Sequence, residues 1–322
     1  IWAGWSGVAQ DEISEDEQAS IAATLQDKYK CLDVPLTADD IEMYYHGFCN
    51  ETIWPLFHYF TSAVEYKAET WEAYQRVNRK FFDAVDPLIE EGDTIWIHDY
   101  QLMLLPQLIR DKHPDVKIGF FLHIPFPSFE IYRQMIWREE ILQGLMGANL
   151  IGFHTYDYVR HFLSSVRRLL GHEHSLYKMQ LESHVVQVDA FPMGIDYDYF
   201  AKTPTPAKVT QEALDFVETT RDVRNIISVD RLDYTKGIPD RIKAFKHFLA
   251  KYPEYHEKVR LNLIIAPSRV GIEKYDELKR EIEVLVSEVN GEFGTFNWMP
   301  VWFFFRTVFC SVVVAKILSV DI

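Results

Sequence analysis

The chain has 322 residues, 48% hydrophobic, 15% aromatic and 25% charged, with 33 basic against 48 acidic side chains and a net charge of −15. At roughly 100–200 residues per domain this is about two domains with full cores, which excludes a disordered or low-complexity chain. The acidic balance excludes a protein that coats nucleic acid or an anionic membrane, yet leaves room for a local basic pocket that takes a phosphorylated ligand.

The chain opens on Ile1-Trp2-Ala3-Gly4-Trp5, with no initiator Met and no signal-like apolar run. Residues 94–98 read as a buried strand and 101–112 as a helix. A second strand is expected over 116–122, then the loop His123-Ile124-Pro125-Phe126-Pro127 and a helical stretch over 129–146. A third strand covers 150–154, a helix 158–170, and a further strand 185–191. Strands alternating with amphipathic helices predict a parallel, doubly wound α/β sheet with ligands at the carboxyl ends of its strands. At Thr203-Pro204-Thr205-Pro206 the pattern breaks, which places a domain boundary between 205 and 206. Beyond it come a helix over 209–220, a strand over 225–229, a helix over 239–251, a strand over 259–265 and a long helix over 275–289. The apolar segment 300–322 is interrupted by Arg306, Lys316 and Asp321, and its uncharged piece 307–315 is far short of the roughly 20 residues a membrane span needs. It reads as core sequence.

Charge is unevenly placed along the chain. Residues 1–93 hold 19 acidic and 6 basic side chains, whereas 223–269 hold 10 basic and 5 acidic ones. A cationic segment in an acidic protein points to an anion site. Cys31, Cys49 and Cys310 are too few and too scattered for a disulfide framework and fit free thiols in a reducing, cytoplasmic setting. The sequon Asn50-Glu51-Thr52 stands without other marks of secretion and reads as chance.

Candidate functional residues sit at strand ends. Asp99, in His98-Asp99-Tyr100, either takes a sugar hydroxyl or its proton, or caps the following helix. His123 stands before a loop stiffened by Pro125 and Pro127, and His154 ends a third strand. Gly171-His172-Glu173-His174 has no third ligand at helical spacing, so it reads as surface rather than metal site. In Arg231-Leu232-Asp233-Tyr234-Thr235-Lys236-Gly237, two cations five residues apart and a Gly before a helix suit a diphosphate, unless Asp233 simply pairs with Arg231. Arg269, ending the next strand in Pro267-Ser268-Arg269, suits a phosphate monoester. Tyr44-Tyr45, Trp54-Pro55 and Trp5 offer aromatic faces for sugar rings, or core packing. No G-x-G-x-x-G follows a strand, which speaks against a nicotinamide dehydrogenase.

Together with Trp2-Ala3-Gly4-Trp5-Ser6-Gly7 and Phe121-Leu122-His123-Ile124-Pro125-Phe126-Pro127, these motifs in this order resemble the trehalose-6-phosphate synthases over nearly the whole chain. The resemblance implies a GT-B type glycosyltransferase: two Rossmann-like domains facing across a cleft, here 1–205 for the acceptor and the beginning of a nucleotide-sugar domain in 206–322. Such enzymes move glucose from UDP-glucose to glucose 6-phosphate with retention, giving trehalose 6-phosphate and UDP. Carried over by position, Trp5, Tyr45, Trp54 and Asp99 contact the acceptor and Arg269 holds its phosphate. His123 lies against the donor glucose, Arg231 and Lys236 hold the diphosphate, and Val308 offers its backbone to the nucleotide. Asp99, His123, Arg231 and Lys236 form the catalytic set, with no metal and no further cofactor. The family's first strand, with its Arg and Gly-Gly loop, falls before Ile1, and an Asp-Gly loop and a Glu fall after Ile322. The alternative is a non-catalytic, synthase-like regulatory subunit that binds sugar phosphates. A homo-oligomer or a trehalose-synthase complex is the assembly the family suggests.

Overall fold

The structure is a computed structural model that describes residues 1–198, 223–268 and 273–307. The chain divides into two units, Ile1–Met193 and Gly194–Ile322. The boundary expected at 205/206 and the helix expected over 209–220 lie outside the described residues.

In the first unit, β1 (Trp2–Gly4) and β2 (Cys31–Asp33) pair in parallel as a small separate sheet. The main sheet holds β3 (Thr94–His98), β4 (Lys117–Phe121), β5 (Leu150–Phe153), β6 (Lys178–Gln180) and β7 (Val185–Ala190) in the order β3-β4-β5-β7-β6. All neighbours are parallel except β6, a short edge strand antiparallel to β7 that the sequence reading does not contain. The register puts His98 opposite Phe121, and Phe121 opposite Gly152, so three strand ends meet in one row.

Helices cross between these strands and bury one face each. Tyr156–Leu170 starts on Thr155, whose side chain accepts the Tyr158 N–H, and stops at Gly171 with φ 75°. Its buried Val159, Phe162, Leu163 and Val166 follow the three-and-four spacing of an apolar helix face. Phe126, Tyr132, Phe153 and Phe162 pack against one another in the core, Phe126 edge to face with both Phe153 and Phe162 and the other pairs tilted. Each such ring contributes roughly 1.5–3 kcal/mol of burial.

Two expected helices differ from expectation. The stretch 101–112 is a 3₁₀ turn over Tyr100–Leu102 followed by the helix Leu105–Lys112, because Pro106 lacks the N–H that an interior helical position needs and so stands in a first turn. The stretch 129–146 splits into Phe129–Tyr132 and Arg138–Met146. At the break Met135 is fully buried and Trp137 stacks on Trp71 at 5.2 Å, so tertiary packing overrides the local helical pattern.

The second unit has β8 (Arg224–Arg231), β9 (Val259–Ala266) and β10 (Val301–Phe305), all parallel in the order β10-β9-β8. Residues 259–265 of β9 are buried throughout, as a central parallel strand covered on both faces requires. The helices Ile238–Lys251 and Glu273–Phe293 cover the sheet through Ile242, Phe245, Leu249, Leu278, Ile282 and Val289. The start of the apolar C-terminal segment is thus a sheet strand, with the Arg260 guanidinium 3.9 Å from the Trp302 ring centre. Among the described residues no helix is long and apolar enough to cross a membrane.

Candidate functional site

Asp99 follows β3 with φ 71° and ψ 174°, a region that only glycine enters without cost. What holds it there is a set of hydrogen bonds on either side. Its N–H donates to the Phe121 carbonyl at 2.8 Å, and its Oδ1 accepts the His123 N–H at 3.1 Å. Beyond it, Tyr74 donates its hydroxyl to the Tyr100 carbonyl and accepts the Met103 N–H, while Asn78 and Tyr44 both donate to the Gln101 carbonyl. Burial pushes the Asp99 carboxyl above the usual aspartate value, against the pull of the N–H groups of His123 and Tyr100. The Asp99 side chain makes no cap bond to the turn it precedes and ties to the His123 N–H instead.

Because Phe121 and His123 are two residues apart, their side chains fall on one face of the sheet, the face that also carries His98. The His98 Nδ1 lies 3.0 Å from the His123 Nε2, and the rings stack at 5.3 Å. Phe121 fits between His123 and His154, at 4.7 and 5.2 Å. Gly152 makes this possible, since a Cβ there would stand 2.6 Å from the Phe121 ring. Burial, and then the neighbouring His123, hold His98 below the usual histidine value. The result is a row of imidazoles beside a strained carboxylate at the carboxyl ends of β3, β4 and β5.

The aromatic residues divide into two groups. Trp5 and Tyr45 are partly exposed and lie 5.8 Å apart, ring to ring. Trp5 is anchored by its indole N–H on the Val8 carbonyl, and Ser6 next to it by the Asp33 carboxylate. Trp54 is only 5% exposed and packs on Tyr100 and His58 at 5.8 and 4.1 Å. Tyr45 belongs to a π-helical segment, Ile41–Ile53, a wide helix form that recurs at functional sites. Asn50 in that segment donates to the Tyr45 carbonyl and accepts from the Tyr100 hydroxyl, linking the Tyr45 backbone to the residue after Asp99. The side chain of the sequon is thus structural and buried.

In the second unit Arg231 ends β8 and Asp233 is fully buried. Asp233 Oδ1 accepts the N–H and hydroxyl of Thr235, which shapes the turn Tyr234–Lys236. Its Oδ2 stands 3.6 Å from the Arg231 guanidinium, so the ion pair weighed from sequence is present and serves the turn. Gly237, at φ 61°, then opens the helix Ile238–Lys251. Arg231 and Lys236 remain exposed on this turn. Arg241 braces it from below, through Asp230 at 2.6 Å, the Ser228 hydroxyl and the Lys236 carbonyl at 3.1 Å. Arg269 and Val308 lie outside the described residues.

Sequence reasoning did not select Arg241, Trp2 or His98 as part of a site. Arg241 looks like any helix cation until its contacts are known, and the pairing of His98 with His123 depends on strand register. In the 172–174 loop, Glu173 pairs with Arg167 at 3.0 Å. A cavity of about 560 Å³ next to it, lined by Arg160, Arg167, Arg168 and His174, includes none of the strand-end residues.

Comparison with known proteins adds the following. The family model for glycosyltransferase family 20 matches residues 1–322. An alpha,alpha-trehalose-phosphate synthase (UDP-forming) A of Dictyostelium discoideum is 41% identical over 308 residues, covering 96% of this chain and 42% of that protein. The chain therefore spans less than half the length of that relative. The Burkholderia xenovorans alpha,alpha-trehalose-phosphate synthase (UDP-forming) in complex with glucose-6-phosphate has a TM-score of 0.86 at 29% identity, covering 90% of this chain and 65% of that one. An E. coli structure bound with UDP-2-fluoro glucose has a TM-score of 0.89 at 29% identity, covering 99% and 70%.

Proposed function

The chain belongs to glycosyltransferase family 20, with the Rossmann-like domains of a GT-B fold, and on that footing we propose that it transfers glucose from UDP-glucose to glucose 6-phosphate. The products are trehalose 6-phosphate and UDP, with retention at the donor carbon. The observation that carries this reading is the strained Asp99, tied to His123 across two strand ends, in a chain that matches the family from end to end. The relatives' ligands, glucose-6-phosphate in one structure and a UDP-sugar analogue in another, support the two substrates.

In this reading Asp99 accepts a hydroxyl of the acceptor sugar, and Trp5 and Tyr45 give it aromatic faces. Trp54 supports that wall from beneath Tyr100, and Arg269 holds the phosphate. His123 orients the donor glucose, while Arg231, Lys236 and the Val308 backbone hold the UDP. The bond from the donor carbon to the UDP oxygen breaks as the acceptor oxygen attacks the same face. The acceptor proton passes to the departing phosphate oxygen. Catalysis is then positioning plus charge stabilisation: two cations facing a diphosphate offset the negative charge that develops on it, and no step is given to a metal ion or another cofactor. The thiol of Cys31 fits a cytoplasmic location. Assembly as a homo-oligomer or in a trehalose-synthase complex belongs to the same reading, and sedimentation of the purified chain reads it. No observation favours the regulatory-subunit alternative.

The test is UDP release from UDP-glucose with and without glucose 6-phosphate, on this chain and on a version extended to the length of its relatives. Release that depends on glucose 6-phosphate is expected from at least the longer version. No release from either overturns the reading.

A further inference from the structure

His98 is held more tightly than a residue at the end of an edge strand needs to be. Its ring is stacked by Trp2 on β1 at 5.7 Å, meets Trp96 on its own strand at a tilt at 4.4 Å, and stacks in turn on His123. Trp96 is 67% exposed, so its contact with His98 is not a by-product of core burial. The nitrogen contact between the two imidazoles, at 3.0 Å, requires one N–H and one lone pair. Two neutral rings meet this condition only if each adopts a defined tautomer, whereas two imidazolium rings would set N–H against N–H. The other charged group at this contact is Asp99, whose Oδ1 is already engaged by the His123 backbone. His154 touches His123 edge to face at 5.9 Å and does not compete for the nitrogen facing His98.

We propose that His98 is a positioning residue for His123, fixing its ring angle and its tautomer so that the donor sugar meets one protonation form of the imidazole. The inference rests on the glucosyl-transfer reading for its consequence, and on the strand register for its geometry. A tautomer fixed before the donor binds removes a reorganisation step and presents either a donor or an acceptor, not a mixture, to the sugar hydroxyls. Trp2 and Trp96 act one step further back, as the walls that hold the His98 ring.

Two substitutions separate hydrogen bonding from packing. Asn at position 98 places an amide nitrogen or oxygen close to where Nδ1 stands, while Phe keeps the stacking surface and removes the hydrogen bond. The first readout is nitrogen-15 NMR of the His123 ring at neutral pH. The parent chain and H98N are expected to show one protonated and one bare ring nitrogen, well separated in shift, and H98F to draw the two together. The second is UDP release: H98F lowers kcat about 10- to 100-fold, as a misplaced catalytic group does, H98N restores most of it, and KM for glucose 6-phosphate stays unchanged. If the parent releases no UDP, the functional reading fails, and the NMR comparison still decides the pairing. Unchanged His123 shifts in H98F, or a kcat loss that H98N shares in full, overturns the positioning role.

Discussion

The Asp99 carboxylate accepts the His123 backbone N–H at 3.1 Å from a residue whose own backbone lies at φ 71° and ψ 174°. The same residue thus stores backbone strain and ties two strand ends together. Non-glycine residues in this region cost of order 1–3 kcal/mol and persist where surrounding contacts over-determine them. Asp99→Ala and Asp99→Gly both remove the carboxylate, but only glycine releases the strain. The glycine variant is expected to be more stable than the alanine variant by about 1 kcal/mol in denaturant melts, while both lose UDP release by at least about 100-fold. Equal stability of the two would show that the backbone is not strained.

The pH dependence of stability follows from the same residue. Burial raises the Asp99 pKa in the folded state above its unfolded value. Between those two values the folded chain holds more protons than the unfolded one, so stability falls as pH rises through that window. Above it the charge is a constant cost. Asp99→Asn keeps an acceptor oxygen and removes the charge, so the variant gains on the parent at pH 7 and loses that advantage below the ordinary aspartate range. Melting both proteins at pH 3.5 and pH 7 measures it, and an advantage independent of pH would contradict the sign.

Much of this site is legible in the sequence. Strand–helix alternation located β3, β4 and β5 to within about two residues, because each is a short, nearly continuous apolar run between polar turns, even on the edge strand β3 where Trp96 stays exposed. That was enough to place Asp99, His123 and His154 at carboxyl ends. What stayed hidden depends on distance between segments. The His98–His123 contact follows from register, which no single strand encodes. The burial of Trp54 depends on Tyr100 and His58 lying over it. The strands Trp2–Gly4 and Cys31–Asp33 are three residues each, too short for any alternation to register. The split at Trp137 reflects stacking on Trp71, a partner far away in sequence.

Asp40 shows the opposite electrostatic sign. Its carboxyl is 1% exposed and is held by Arg76 at 3.0 Å, by Lys80 and by the Thr37 N–H at 3.2 Å. Burial is the largest single influence and pushes its pKa up. Lys80, the Thr37 backbone and Arg76 together outweigh it, and the carboxyl lies below the usual value. Stability from this cluster is therefore present above the unfolded aspartate value and lost as pH falls through the folded one. Asp40→Asn takes this partner from Lys80 and leaves Arg76 with Asp39 alone, and is expected to cost about 2–3 kcal/mol at pH 7, at the lower edge of buried-pair losses because both cations keep solvent access. Urea melts should show that cost shrinking toward pH 3, and a constant cost would mean the loss is one of packing.

Gly152 tests how closely the imidazole row depends on Phe121. An alanine Cβ there meets the Phe121 ring at 2.6 Å, closer than real contacts allow, and the Phe191 ring at a tight 3.1 Å. Phe121 is 6% exposed and cannot swing away without disturbing His123 and His154. Gly152→Ala is expected to lower stability by about 1–3 kcal/mol, the range for overpacked cores, and to reduce kcat well beyond what the lost folded fraction explains. A stable variant with normal kcat would show that Phe121 has room the packing does not suggest.

Arg241 offers the last test, in the second unit. One guanidinium nitrogen reaches Asp230 and the Ser228 hydroxyl, and another the Lys236 carbonyl at 3.1 Å. The arginine therefore clips the end of β8 to the turn that presents Lys236. Lysine can satisfy one of these acceptors but not all of them, because its single ammonium lacks the fork. Arg241→Lys and Arg241→Met should both weaken UDP binding, each by about 5- to 10-fold, on the scale of roughly 1 kcal/mol for one net hydrogen bond. Lys236→Ala, which removes a charge from the proposed phosphate site, should weaken it more. Calorimetric titration with UDP ranks the variants without requiring turnover. If Arg241→Lys binds UDP as the parent does, charge alone suffices at this position and the clip has no part in shaping the turn.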